Sequence, residues 1–466
     1  MTRLAVEPLS YSTESPKTAV PPVSWHRRVL YPARSGHQPP RVLHAAASST
    51  LDPFILDLIA LVCREHVLTW YSNISRDPDR AFIQQITALL VHVIQALEVR
   101  LAQTDLVALI VIDLPTLFEQ HVRDFDEAVY KSRSAVAHNL TRDNVFDLLQ
   151  PHIAISTSKI DGEMETTVDK TYLRALVDNL LTLLLPPHDL KSDTERTIVR
   201  EIMVNILLGS VFTRVAQPWF WHSLIIKLVD PRSTTLEPGK STQDASDKRT
   251  GYISNPHGSS FQPMDGLLAA LSSALVAMTA VTQSLSALYH AAVLTTPPSH
   301  ALEAPGLIFD PFTSFVLALL PASTFLLQVV HFITMPLALC SSFMTALVYH
   351  VVSHRLLTVN FAKLVLENAT NSLFPNGHPP PKEPDPTVEQ QVELERRCID
   401  AVARGLPGWL VKVLAMTGTT EDAQHELAQH LLRPLSSHTA NVHLMMLVID
   451  LVVQKLFPEL TELVDE

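Results

Sequence analysis

The segment His425-Glu426-Leu427-Ala428-Gln429-His430 comes closest to reactive chemistry. A helical zinc-protease motif needs its histidines four residues apart, so that both face one metal. Here they are five apart, which turns one imidazole about 140° from the other on a helix, and no metal site is expected. No GxSxG elbow, GxGxxG turn or GxxxxGK[ST] loop occurs. Asp161 and Glu163 flank Gly162 in a polar stretch and read as a solvated loop. The 21 histidines are dispersed and read as surface and interfacial groups. Cys63, Cys340 and Cys398 match no zinc or redox spacing and read as buried thiols of a reducing compartment. The expectation is a protein without catalysis, metal or cofactor.

Composition sets the class. The 466 residues suggest about two to four domains. Hydrophobic residues reach 47% and charged ones only 18%, below the roughly 25% of ordinary soluble domains. The mean hydropathy of +0.18 points the same way. Twelve glycines against 33 prolines suit helices separated by proline-marked loops. The net charge of −12 excludes a general nucleic-acid binder, which needs a basic footprint.

The elements that must position any site read as helices throughout. Residues 1–47 hold seven prolines and no apolar signal core, the pattern of a disordered tail. Folded character starts near Leu51. Asp77 and Pro78 are an N-cap and first helical residue. After them Phe82, Ile86, Leu89, Leu90, Val93, Leu97 and Leu101 form one helical stripe. Helices follow over about 104–123, with Pro115 set to kink or divide it, and over about 124–138. Residues 150–154 read as an irregular link before a helix over about 168–185. Ser192-Asp193-Thr194-Glu195 is a capping box opening a helix to about 213, with Ile198, Ile202, Ile206 and Val211 inward. Arg196, Arg200 and Glu201 read as ordinary ion-pairing charges. No alternating strand pattern emerges from this region.

The centre is unusual. Residues 266–302 contain no Asp, Glu, Lys or Arg, and neither do residues 311–354. Both 267–294 and 315–352 exceed the roughly 20 residues that cross a bilayer. Three readings remain open: integral or re-entrant insertion, a lipid-lining or membrane-surface role, and plain buried core. Lipid contact of some kind is favoured.

The order of motifs resembles a known module. Leu51-Asp52, Trp70-Tyr71-Ser72-Asn73-Ile74-Ser75, Asp77 and Phe82 look like the start of a PXA (PX-associated) domain. The likeness continues through Gln150-Pro151-His152-Ile153-Ala154, Leu183-Leu184-Leu185-Pro186-Pro187, Ser192 to Arg196 and Arg200-Glu201-Ile202, and closes with Pro218 and Ile225-Ile226. The C-terminal block is similar to the nexin-C region of the larger sorting nexins, through Gly405-Leu406-Pro407-Gly408-Trp409-Leu410, Gly418, His443-Leu444, Asp450 and Leu456-Phe457-Pro458-Glu459-Leu460. No PX domain is recognisable between them.

The resemblance implies an all-α protein. Its parts would be a disordered tail (1–47), a PXA domain (48–231), a flexible linker (232–263), apolar lipid- or membrane-facing helices (264–376), a proline-rich linker (377–386) and a nexin-C-like region (387–466). It also implies the cytoplasmic face of endosomal, vacuolar or endoplasmic-reticulum membranes, a trafficking or lipid-binding and transfer role, and lipid or membrane as partner, with trafficking proteins besides. In that family the two modules are thought to pack around an apolar cavity. The residues expected at lipid are Leu267, Leu268, Phe312, Phe315, Leu319, Phe325, Phe332 and Phe343. The alternative is a soluble protein-interaction scaffold whose apolar stretch is core or interface.

Overall fold

The computed structural model describes residues 25–31, 40–44, 48–75, 81–134, 140–160, 163–185, 193–206, 212–229, 307–321, 324–374, 385–406 and 420–462, with isolated positions 290, 297, 298, 408 and 411. The N-terminal tail, the Asp77-Pro78 and Ser192 caps, Ile206 to Val211 as inward side chains, the 232–263 linker, residues 267–289, most of the second linker and Gly418 lie outside what is described.

The protein is all-α. In chain order the main helices are α1 (Trp25–Leu30), α2 (Ser48–Val62), α3 (Ala81–Gln103), α4 (Leu114–Ser132), α5 (Arg142–Leu149), α6 (Lys170–Leu184), α7 (Asp193–Ile206), α8 (Pro218–Val229), α9 (Asp310–Leu319), α10 (Thr324–Ala338), α11 (Ser341–Val351), α12 (Val359–Leu373), α13 (Val388–Gly405), α14 (Thr420–Leu432) and α15 (His438–Leu456). Their starts follow local chemistry. Asp169 caps α6 by accepting from the Thr171 N–H at 2.8 Å. Thr387 and Gln390 form a reciprocal capping box at α13. Pro115 sits in the first turn of α4, where its missing N–H costs nothing. It does not divide the chain: a π-helical turn over Leu109–Asp113 runs straight into α4, and residues 114–132 form one helix rather than the two expected.

One expectation fails. Residues 155–168, where no strand is expected from the sequence and Asp161 and Glu163 read as loop, form an antiparallel hairpin, β1 (Ile155–Ile160) and β2 (Glu163–Val168), in register from Ile155 opposite Val168 to Ile160 opposite Glu163. Asp161-Gly162 between two runs with β-branched residues is a strong hairpin signal. Glu163 thus begins a strand rather than belonging to a loop.

Helix α3 lies between two cores. Leu89 and Val93, with Ala96 and Leu97, face a cluster built from α6, α7 and α15. Ile83, Ile86 and Val91, with Leu90 and Ile94, face one built from α1, α2 and α12. Two adjacent apolar stripes thus replace the single one expected, and Leu101 falls beyond them, exposed. Helix α7 bridges the same clusters, so Val199 and Val204 are its buried residues while Ile202 packs on the other side. Its charges pair across helices: Arg200 Nη1 with Asp178 at 2.8 Å, and Arg174 Nε of α6 with Glu201 at 2.8 Å.

The C-terminal helix α15 is part of this core, with Val442 and Met446 buried in the first cluster. Arg100 of α3 donates to the Leu456 carbonyl at 2.9 Å and lies over the Phe457 ring. Met446→Ala should therefore lower stability by about 2–5 kcal/mol. Urea unfolding followed by tryptophan fluorescence and by circular dichroism should give coincident transitions, because α3 and α7 contribute to both cores and couple them.

Candidate functional site

Helices α4, α8, α9 and α15 line a half-open apolar cavity of about 500 Å³. Phe118, His121 and Val122 come from α4, Trp221 from α8, Phe315 and Leu319 from α9, and Leu444, Met445, Val448 and Ile449 from α15. Leu431, Pro434 and Leu435 close it at the α14–α15 junction. Phe118 and Phe315 pack ring to ring at 5.6 Å, which seats α9 on α4. The volume falls in the ~300–1,000 Å³ range of small-ligand sites. No described lining residue is Lys, Arg, Asp or Glu.

Polar contacts around the cavity hold α15 to the N-terminal helices. The His152 ring accepts at Nδ1 from the Ala154 N–H, 3.1 Å away, so Nε2 carries the proton and donates to Asp450 at 2.8 Å. Gln150, two residues before, donates to Asp124 of α4. His443, 1% exposed, is paired through Nε2 with Asp147 at 3.1 Å. Thr166 and Thr439 share a buried hydrogen bond of 2.7 Å, and Asn441 donates to the Ala216 carbonyl at 3.0 Å. Arg433 pairs with Asp126.

Inside this frame His121 is 3% exposed, and neither ring nitrogen has a hydrogen-bond partner. It stands edge-on to Phe146 at 5.5 Å, and Phe146 in turn meets His443 at 5.4 Å. Burial, with the neighbouring His443 adding to it, pushes the His121 imidazole down to about 4. Trp221 Nε1, on the same cavity, is likewise buried without a partner.

Residues 48–228 match the PXA domain family. The chain carries a PXA domain. Its matched limits fall within the 48–231 expected and end at the last turn of α8. The PXA domain thus supplies α4 and α8 to the cavity, and α9 and α15 come from outside it. Among relatives, PXA domain protein 1 of Schizosaccharomyces pombe is 32% identical over 34% of this chain and 29% of its own length. Sorting nexin-19 of Mus musculus is 26% identical over 39% of the chain and 18% of its own length. Sorting nexin-13 of Mus musculus is 23% identical over 41% and 20%. The chain spans less than a third of the length of these relatives. No solved structure matches it.

The structure sorts the residues expected at lipid. Phe315 and Leu319 line the cavity beside the PXA domain. Phe312 shares their helix but is exposed, Phe332 on α10 is 80% exposed, and Phe343 is half-buried on α11. Phe325 lies on α10, and Leu267 and Leu268 lie outside the described residues. His121, Trp221 and the α15 residues escaped the sequence reading because they lie outside the charge-free stretch. The run Trp219-Phe220-Trp221 and the almost charge-free α15 were the available signals. His425 binds Asp400 at 3.0 Å, whereas His430 donates to the Leu319 carbonyl at 3.1 Å and so pins the end of α9. The two imidazoles hold different partners, and no cluster of metal-ligating side chains occurs among the described residues.

The lowered His121 gives a pH signature. Unfolded, the ring binds its proton near 6.5; folded, only near 4. The unfolded state holds more protons between these values, so stability falls as pH drops through that window, by about 3 kcal/mol in all. His443, also lowered by burial, acts in the same direction. Denaturation midpoints measured from pH 7 to pH 4 should show the decline, and His121→Phe should flatten the larger part of it.

Proposed function

We propose that this chain is a membrane-associated, non-catalytic trafficking protein that binds or transfers lipid at the cytoplasmic face of endosomal, vacuolar or endoplasmic-reticulum membranes. Its PXA domain and its sorting-nexin relatives support the trafficking role. The observation that carries the membrane reading is the bent pair of α10 and α11. Residues 327–338 and 341–356 bend by 97° at the break between them. Leu327, Phe332, Met335 and Leu339 stand exposed there, Phe332 at 80% and Leu339 at 88%, within a stretch free of Asp, Glu, Lys and Arg from 311 to 354. Each such side chain gains roughly 1.5–3 kcal/mol when removed from water, so four suffice for reversible attachment to a bilayer.

The rest of the segment holds this bent pair on a fixed base. Ile308 and Tyr349 pack with Val107, the Tyr349 hydroxyl donates to Asp105, and α12 lies against α2 through Ala362 and Leu366. Helices α3 and α15 are long and apolar enough to cross a bilayer by composition, but they pack within the protein core. The nexin-C-like reading of the C-terminal block is supported by the position of His443, Asp450 and Phe457 against the PXA helices.

Phe332→Asp combined with Leu339→Asp should lower liposome co-flotation of the full chain at least tenfold without changing its melting temperature, because both side chains face solvent. Undiminished flotation would end the membrane reading. Release of the wild-type chain from cell membranes by high salt alone would favour the soluble scaffold.

A further inference from the structure

Helix α11 presents two unlike faces. At 100° per residue, Thr345, Tyr349 and Val352 fall on one side. There Tyr349 and Val352 pack with Val107 and Ile308, and Thr345 is buried. The opposite side carries Phe343, Met344, Leu347 and Val351, none of them fully buried. Arg355 closes this side in the π-helical turn Val352–Leu356 that prolongs α11. It is exposed and pairs with no acid among the described residues. Beside it the His350 and His354 rings stack at 4.3 Å, and His354 Nδ1 donates to the His350 carbonyl at 3.0 Å. The outer face is thus apolar along its length and polar at one end.

Charge narrows what can cover this face. Residues 311–366 contain no Asp or Glu, and their only Lys and Arg are Arg355 and Lys363. Lys363 is engaged by the Phe54 ring and by Glu367 at 3.8 Å. The chain as a whole carries −12, but charges beyond the roughly 8 Å Debye length are screened at physiological salt. The face therefore meets its partner as an apolar strip ended by a free cation. A guanidinium holds phosphate oxygens through two parallel hydrogen bonds, and its stem can lie on apolar surface while its head reaches a headgroup layer. The 97° bend keeps α10 and α11 from forming one straight span. A short helix divided in this way lies in the interface plane of a bilayer.

We propose that α11 lies flat on an anionic phospholipid leaflet, with Phe343, Met344, Leu347 and Val351 among the acyl chains and Arg355 on the lipid phosphates. The assignment rests on the membrane reading above and names the surface recognised, one with net negative headgroups. Leu339 and Arg355 then mark the two ends of the contact. Because Tyr349 fixes the inner face of α11 to the protein body, the attached molecule has a single orientation toward the membrane.

The test is co-flotation of the full chain with vesicles of phosphatidylcholine alone and of an equimolar mixture with phosphatidylserine. One unit of charge near an anionic surface favours binding about fivefold. The mixed vesicles should therefore bind the wild type about fivefold more tightly, and high salt should remove the preference. Arg355→Gln should bring the ratio to about one, whereas Arg355→Lys, which keeps the charge, should retain it. Leu347→Asp should weaken binding to both vesicles at least tenfold. Melting curves check that each variant is folded, and Arg355, being exposed, can be changed without disturbing the core. Equal binding of the wild type to both vesicles, or a preference that survives Arg355→Gln, overturns the assignment while leaving the α10 contact standing. Protein that stays on the vesicles through carbonate extraction overturns the in-plane placement. Lipid-free dimers that Leu347→Asp dissociates overturn it in favour of a face between two copies. Flotation with neither vesicle overturns the membrane reading as well.

Discussion

Helix α15 is apolar around most of its circumference and cannot stand in water. Thr439, Ala440, Asn441, Val442, His443 and Met446 are all buried. The protein therefore has to surround it, and the PXA helices do so. The polar groups carried inside are mostly matched: the Asn441 amide N–H to a backbone carbonyl, Thr439 to Thr166, His443 to Asp147, Asp450 to His152, with the Asn441 Oδ1 left without a partner. Removing one member of such a pair strands the other in a dry environment. The first and last thirds of the described chain are thus a single body joined by apolar burial and fixed in register by polar pairs.

The cavity follows from this arrangement. Helices α4 and α8 of the PXA domain cannot close around α15 on the side where α9 enters, and the bulky rings of Phe118, Trp221 and Phe315 hold the elements apart. A site at such a seam responds to anything that moves one of its walls. Helix α9 is the most exposed wall: it is tethered to α14 through His430, and after Leu320-Pro321 the chain continues into the apolar α10.

The charge networks outside this region have a plainer part. Asp178, Arg200, Glu201 and Arg174 tie α6 to α7, and Arg396 with Glu393 and Asp400 lies along α13. The α13 charges are exposed and the α6–α7 ones half-buried; exposed ion pairs add little to stability. They orient helices whose affinity for one another is apolar.

The sequence by itself determined the helical class, the position of the PXA domain and the charge-free run, because apolar periodicity, capping residues and motif order are local in the chain. It also carried the hairpin, in Asp161-Gly162 between two strand-forming runs, a signal outweighed by the helical surroundings. The cavity was only half legible. Phe315 and Leu319 could be picked out as apolar residues in a charge-free stretch, but His121 sits on an ordinary amphipathic helix and Trp221 in an aromatic cluster, and neither pattern distinguishes core from site. Only the tertiary structure decided that residues about 100 and 320 positions apart share one cavity, that α3 and α15 spend their apolar surface on packing, and that α10 does not. Burial is a property of neighbours across the chain, and spacing along the chain does not contain it.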